Sequence, residues 1–194
     1  MHEFFVTINN NTTLLFGFTL ILGLLVGSFL NVVIYRIPKI LEQDWKHQCQ
    51  VLLEQDAPKA EKFNLSTPNS SCPNCGHAIR PWENIPIVSY LFLKCKCSAC
   101  KTPISIRYPL VELATGIFSL VVASTFGASY ATLALLLLTW SLIALTMIDA
   151  DTQLLPDNIT LPLLWLGLIC SYFGVITDLN SALWGAVAGY LSLW

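Results

Sequence analysis

Charge is scarce in this sequence, and positive charge is missing from most of it. Asp, Glu, Lys and Arg make up 11% of the 194 residues, while hydrophobic residues reach 55%. A soluble domain carries about 25% charged residues, so an ordinary water-soluble fold is excluded. None of the ten basic residues precedes Arg36 and none follows Arg107. There is no phosphate-binding glycine loop, no His-Glu-x-x-His helix and no Ser-His-Asp arrangement. Basic residues of the central segment are balanced by Glu42, Asp44, Glu54, Asp56, Glu61 and Glu83. No basic face stands out, and nucleic acid is not an expected partner.

What the chain does have is apolar runs. Residues 13–35 are long enough to cross a bilayer, which takes about 20 residues. A cleaved signal peptide would begin with basic residues. Residues 1–12 contain no Lys or Arg, so they are expected to be a periplasmic tail before a retained anchor. Further spans are expected at 109–126, 130–148 and 159–176. Residues 182–194 are 13 in number, too few to cross, and are expected to begin a fifth, incomplete span. Clustered basic residues near span ends mark the cytoplasmic side, which places the 36–108 loop and the 149–158 connection in the cytoplasm. The fold expected is an all-α polytopic membrane bundle in lipid with a small zinc-binding cytoplasmic loop domain. No internal repeat is evident. Residues 39–54 suggest an amphipathic helix and 55–71 a linker.

Cys72-Pro-Asn-Cys75 and Cys97-Ser-Ala-Cys100 are two Cys-x-x-Cys knuckles with 21 residues between them. Two thiolates reach one ion from each tight turn, and two such turns complete a tetrahedral shell. Gly76 suits the sharp turn after Cys75, and the segment between the knuckles is expected to close as a hairpin. A disulfide fits a reducing compartment poorly. Structural Zn²⁺ on Cys72, Cys75, Cys97 and Cys100 is the expectation, with iron or a redox pair as alternatives. His77 reads as a surface histidine, Cys95 as a spare thiol or competing ligand, and Cys49 and Cys170 as inert.

Asp149, Asp151 and Asp157 gather where one apolar run ends and the next begins. Carboxylates at membrane depth are costly and usually serve a function, so Asp149 is the catalytic candidate. Asp151 is solvated or tunes it, and Asp157 or Asn158 reads as an N-cap after Pro156. Glu112, shortly after Pro109, reads as a helix-start residue, with a role in methyl transfer left open. Gly23 and Gly27 form a small-xxx-small pattern that favours close helix packing.

The sequence resembles the aspartic peptidases that process type IV prepilins. The resemblance rests on the run from Gly27 to Pro38 (GSFLNVVIYRIP), the two knuckles, and Arg80-Pro81-Trp82-Glu83-Asn84-Ile85-Pro86. It continues through Arg107-Tyr108-Pro109-Leu110-Val111-Glu112 to Asp149, Asp151 and Leu155-Pro156-Asp157. It implies a multi-pass protein of the bacterial inner membrane. That protein would cleave the basic leader of prepilins and type II secretion pseudopilins, then N-methylate the new terminus with S-adenosylmethionine. Asp149 corresponds to the first of two catalytic aspartates; the second lies in a Gly-x-Gly-Asp motif that these residues do not contain. The 194 residues alone are therefore not expected to cleave peptides. Cys95 stands where the family commonly has glycine. The competing reading is a non-catalytic, zinc-stabilised membrane scaffold that docks pilus or secretion assembly proteins.

Overall fold

A computed structural model describes residues 11–53 and 63–193. The expected N-terminal tail up to residue 10, residue 54 at the end of the expected amphipathic helix and linker residues 55–62 lie outside the described residues. The helices are α1 (Thr12–Leu52), the single turn α2 (Val88–Phe92), α3 (Arg107–Phe126), α4 (Tyr130–Thr152), α5 (Asp157–Tyr172) and α6 (Leu179–Leu193). A 3-10 turn, Pro81–Asn84, precedes α2. Among the described residues there is no strand longer than an isolated bridge. Among the described residues three helices, α1, α3 and α4, are long and apolar enough to cross a membrane. At 16 residues, α5 is about 24 Å long at 1.5 Å per residue, short of the bilayer's apolar thickness.

Small side chains set how α1 and α3 meet. A Cβ on Gly23 would come within 2.7 Å of Ser119 Oγ, and one on Gly27 within 2.7 Å of the Glu112 Cα. The two backbones approach because nothing stands between them, the mode that serves helices in lipid where burial from water supplies no drive. Thr115 and Ser119 are fully buried in this seam. Their hydroxyls donate to the carbonyls of Val111 and Thr115, each at 2.7 Å, so no polar group is left bare. Ser119 Oγ also accepts the Trp140 indole N–H at 2.9 Å, which brings α4 onto the pair.

An apolar core of Leu30, Val33, Ile34, Ile37, Val111, Ala144 and Ile148 joins α1, α3 and α4 at one end. Ile148 is wholly inaccessible and immediately precedes Asp149. The opposite end closes through Gly127, at φ +60°, and Ser129, whose hydroxyl caps Thr132 N. Large side chains such as Phe18, Ile21, Leu25 and Phe29 point outward from α1, as a lipid-facing surface requires.

Two expectations need correcting. The helix expected at 39–54 is not an element distinct from the first span: α1 runs unbroken through Pro38 to Leu52. A proline removes one hydrogen bond without forbidding continuation, and the extension is reinforced by the Glu42–Lys46 pair at 2.6 Å. Nor does the segment between the knuckles form a hairpin; it folds as the 3-10 turn and α2.

Candidate functional site

The two knuckles are one local structure used twice. Cys72 N donates to His77 O at 2.9 Å, Gly76 N to Cys72 O at 2.9 Å and Ile79 N to Ser70 O at 2.8 Å. Exactly 25 positions later the pattern returns: Cys97 N to Thr102 O at 2.9 Å, Lys101 N to Cys97 O at 3.1 Å and Ile104 N to Cys95 O at 2.8 Å. The bridges Ser71–Ala78 and Lys96–Pro103 match as well. Gly76 (φ +69°) and Lys101 (φ +60°) occupy the same left-handed position. Over this stretch the identical pairs are Cys72/Cys97, Cys75/Cys100 and Ile79/Ile104, too few for a repeat to be seen in sequence.

This pairing presents the sulfurs of Cys72, Cys75, Cys97 and Cys100 within 4.8 Å of one another. Cys72 Sγ and Cys100 Sγ are 3.8 Å apart, about the edge of a tetrahedron of sulfurs bonded to zinc at about 2.3 Å. All four cysteines are free thiols. The donor set fits a thiophilic ion, and four thiolates fill a tetrahedral shell with no coordination position left for substrate. Without an ion the thiols differ sharply. Side-chain and backbone hydrogen bonds from Thr102 pull Cys100 down to about 5. The His77 backbone amide opposes the rise of Cys75, but hydrogen bonding to Cys100, burial and the other thiols push it up to about 11.

Around the knuckles, Glu83 ties the loop together. Its carboxylate accepts Arg80 N at 2.9 Å and lies 3.4 Å from His77 Nε2. The Arg80 amide and Ser98 hydroxyl hold it below the usual carboxylate range. His77 is thus half-buried against Glu83 rather than a free surface histidine. Cys95 lies outside the four-sulfur group and sits at φ +62°. That left-handed backbone favours glycine, which accounts for the glycine the resemblance leads one to expect there.

The loop is fastened to the helices by buried polar groups. Arg36 is buried in α1 and donates to Asn64 O at 2.8 Å and Pro68 O at 2.6 Å. Ser28 Oγ reaches Asn84 O at 3.4 Å, and Asn31 Nδ2 donates to Tyr108 O at 3.1 Å. Glu112 is not a helix-start residue, because α3 begins at Arg107 and Glu112 lies a turn further in. Its buried carboxylate accepts Ile87 N at 2.7 Å.

Asp149 occupies the last turn of α4, exposed, and its carboxylate has no hydrogen-bond or ion-pair partner among the described residues. Its backbone carbonyl accepts Gln153 N at 2.8 Å as the helix ends. Asp151 is not simply solvated: Arg107 donates to both of its oxygens, at 2.8 and 2.6 Å. Asp157 is the first residue of α5, with Pro156 at the cap position and no side-chain capping bond. Its charge sits at the positive end of that helix. The carboxylates thus take three different settings within one α4–α5 corner: unpaired, clamped and at a helix start.

Residues 21–126 match the sequence model of the bacterial peptidase A24 N-terminal domain, and residues 136–194 match that of the type IV leader peptidase family. The chain belongs to the type IV leader peptidase family. It is 59% identical over 177 residues to a prepilin leader peptidase/N-methyltransferase of Pseudomonas aeruginosa, covering 91% of this chain and 61% of that protein. A protein of the same name from Neisseria gonorrhoeae is 56% identical over 178 residues, 90% of this chain and 62% of the relative. One from Aeromonas hydrophila is 48% identical over 183 residues, 93% and 63%. The chain therefore spans about three-fifths of the length of these curated relatives. No solved structure matches it.

Within this leader-peptidase sequence, the Arg107–Asp151 pair and the Glu112–Ile87 contact were not legible beforehand. The only available signal was that all four lie in or beside the segments carrying the family resemblance.

Proposed function

We propose that this chain is the part of a membrane-embedded aspartic prepilin peptidase that supplies its first catalytic carboxylate, Asp149. One observation carries the reading. In a chain of this family, a carboxylate with no partner among the described residues stands at the exposed end of a membrane helix, directly after a fully buried isoleucine. An aspartic dyad needs one ionised carboxylate to take a proton from water and one protonated carboxyl to polarise the scissile carbonyl. Placing like charges side by side separates their two proton affinities and supplies both forms at once. The partner is the aspartate of the Gly-x-Gly-Asp motif, which these 194 residues do not contain.

In this reading the knuckle loop is cytoplasmic, and Cys72, Cys75, Cys97 and Cys100 hold a structural Zn²⁺ that fixes the loop's fold. The substrates are type IV prepilins and type II secretion pseudopilins. Methylation of the new N-terminus with S-adenosylmethionine belongs to the same proposal. The chain has no Gly-x-Gly-x-x-Gly sequence, and no residue here is assigned to the methyl donor.

The test is Asp149→Asn in the full-length protein, assayed for leader cleavage in reconstituted membranes. Loss of a positioned acid or base should cost roughly 10²- to 10⁴-fold, with metal content unchanged. Wild-type cleavage by this variant would remove Asp149 from the reaction and favour a scaffold.

A further inference from the structure

The segment between the knuckles is built inside out for a water-exposed element. Trp82 and Ile85, three apart, and Val88, Leu91 and Phe92, on one face of α2, all point outward; Phe92 is 83% exposed. Two polar side chains turn inward: Tyr90 Oη donates to Ile104 O, and Glu83 faces Arg80 N and His77. A loop folded in water would place these two sets the other way round.

Its attachment points say where this face lies. Asn84 O accepts from Ser28, which precedes Arg36 by eight residues, about 12 Å along α1. Ile87 N donates to Glu112, five residues past Arg107, about 7.5 Å along α3. Both anchors lie within apolar runs, on the membrane side of the two arginines that bound the polar loop. The segment is tied beside the spans rather than beyond them, and the residues that follow its two anchors in sequence, Phe29 and Leu113, are exposed.

Its backbone suits such a position. Pro81 and Pro86 carry no N–H, and the amides of Glu83, Ile87, Ser89, Leu91, Leu93 and Lys94 donate to groups within the chain. Irregular backbone near hydrocarbon requires that. Arg80, Lys94 and Lys96 flank the apolar face and are exposed, the pattern that favours anionic headgroups.

We infer that residues 82–92 form a lipid-inserting wedge: the apolar face of Trp82, Ile85, Val88, Leu91 and Phe92 enters the bilayer interface and seats the knuckle domain against anionic lipid. This goes beyond the peptidase reading and does not depend on it. The experiment places an environment-sensitive fluorescent amino acid at position 92, and separately at Leu91, in the full-length protein. The protein is reconstituted in phosphatidylcholine–phosphatidylglycerol vesicles, with position 99 at the knuckle tip as the aqueous control. Quenching by a bilayer-carried spin label should exceed quenching at position 99 by roughly five-fold or more, with blue-shifted emission. Iodide quenching equal to that at position 99 would overturn the wedge. So would protection from both quenchers, which would mean that protein covers the face. Because both labelled side chains are largely exposed, the substitutions leave the fold intact, and zinc content checks this.

Discussion

Arg107 grips Asp151 with two parallel hydrogen bonds, of 2.8 and 2.6 Å, joining the first turn of α3 to the last turn of α4. A third contact, from Arg107 to Met147 O at 3.4 Å, reaches back along the same helix. Asp149 lies between these two attachment points. The clamp therefore fixes the helix end that presents it.

The pair is about two-fifths exposed on each side, so water screens it. Asp151→Asn should lower stability by no more than about 1 kcal/mol, read as a small shift in thermal unfolding in detergent. Arg107→Lys should lose the forked geometry and match Asp151→Asn rather than the parent. A loss several times larger for either would mean that the clamp is a structural keystone.

Helix packing gives a sharper contrast. Gly27→Ala pushes a methyl to 2.7 Å from the backbone of Glu112, which cannot swing away. It should cost about 1–3 kcal/mol. Gly17, in the same helix, has nothing within 4 Å of an added Cβ, and Gly17→Ala should leave the unfolding temperature level or slightly higher. Comparing the two variants by thermal unfolding separates helix contact from helix propensity.

Thiol chemistry can be read directly. After chelation, Cys100 should alkylate first near neutral pH, since its thiolate persists as pH falls to about 5, whereas Cys75 should react only as pH nears about 11. The sign follows from the shifts. The depressed Cys100 favours the folded state above its unfolded-state value, and that contribution fades as pH drops through about 5. The raised Cys75 favours the folded state at lower pH and loses that contribution as pH climbs through about 11. Peptide mapping after timed iodoacetamide treatment measures the order; with Zn²⁺ restored, both should be protected.

Backbone strain supplies a fourth expectation. Cys95→Gly relieves a left-handed residue at φ +62° and should stabilise the protein by about 1 kcal/mol. Gly76→Ala, at φ +69°, should destabilise it by about 1–2 kcal/mol. Thermal unfolding together with zinc retention checks both.

The sequence made some features plain because they are written locally. Apolar runs, small-residue spacing and two Cys-x-x-Cys turns each depend on neighbours a few positions apart. The four sulfurs do gather, and Gly23 and Gly27 of α1 do meet α3. What stayed hidden depends on distance along the chain. Arg107 and Asp151 are 44 residues apart and Ile87 and Glu112 are 25 apart, and no pattern in either segment names its partner. That α1 continues through Pro38 was hidden too, because a local rule cannot report what carries a helix past a proline. The twofold likeness of the knuckles is a likeness of backbone, almost invisible in side chains.

Because α1 does not break at Pro38, its far portion inherits the roll of the span in the bilayer. Successive residues turn by about 100° around a shared axis, so the direction in which Trp45 looks is set by how Gly23 and Gly27 seat on α3. One residue added or removed near position 40 would swing that aromatic to another quarter of the compass and leave the buried seam untouched. The protruding rod thus works as a pointer whose bearing is chosen deep in the lipid.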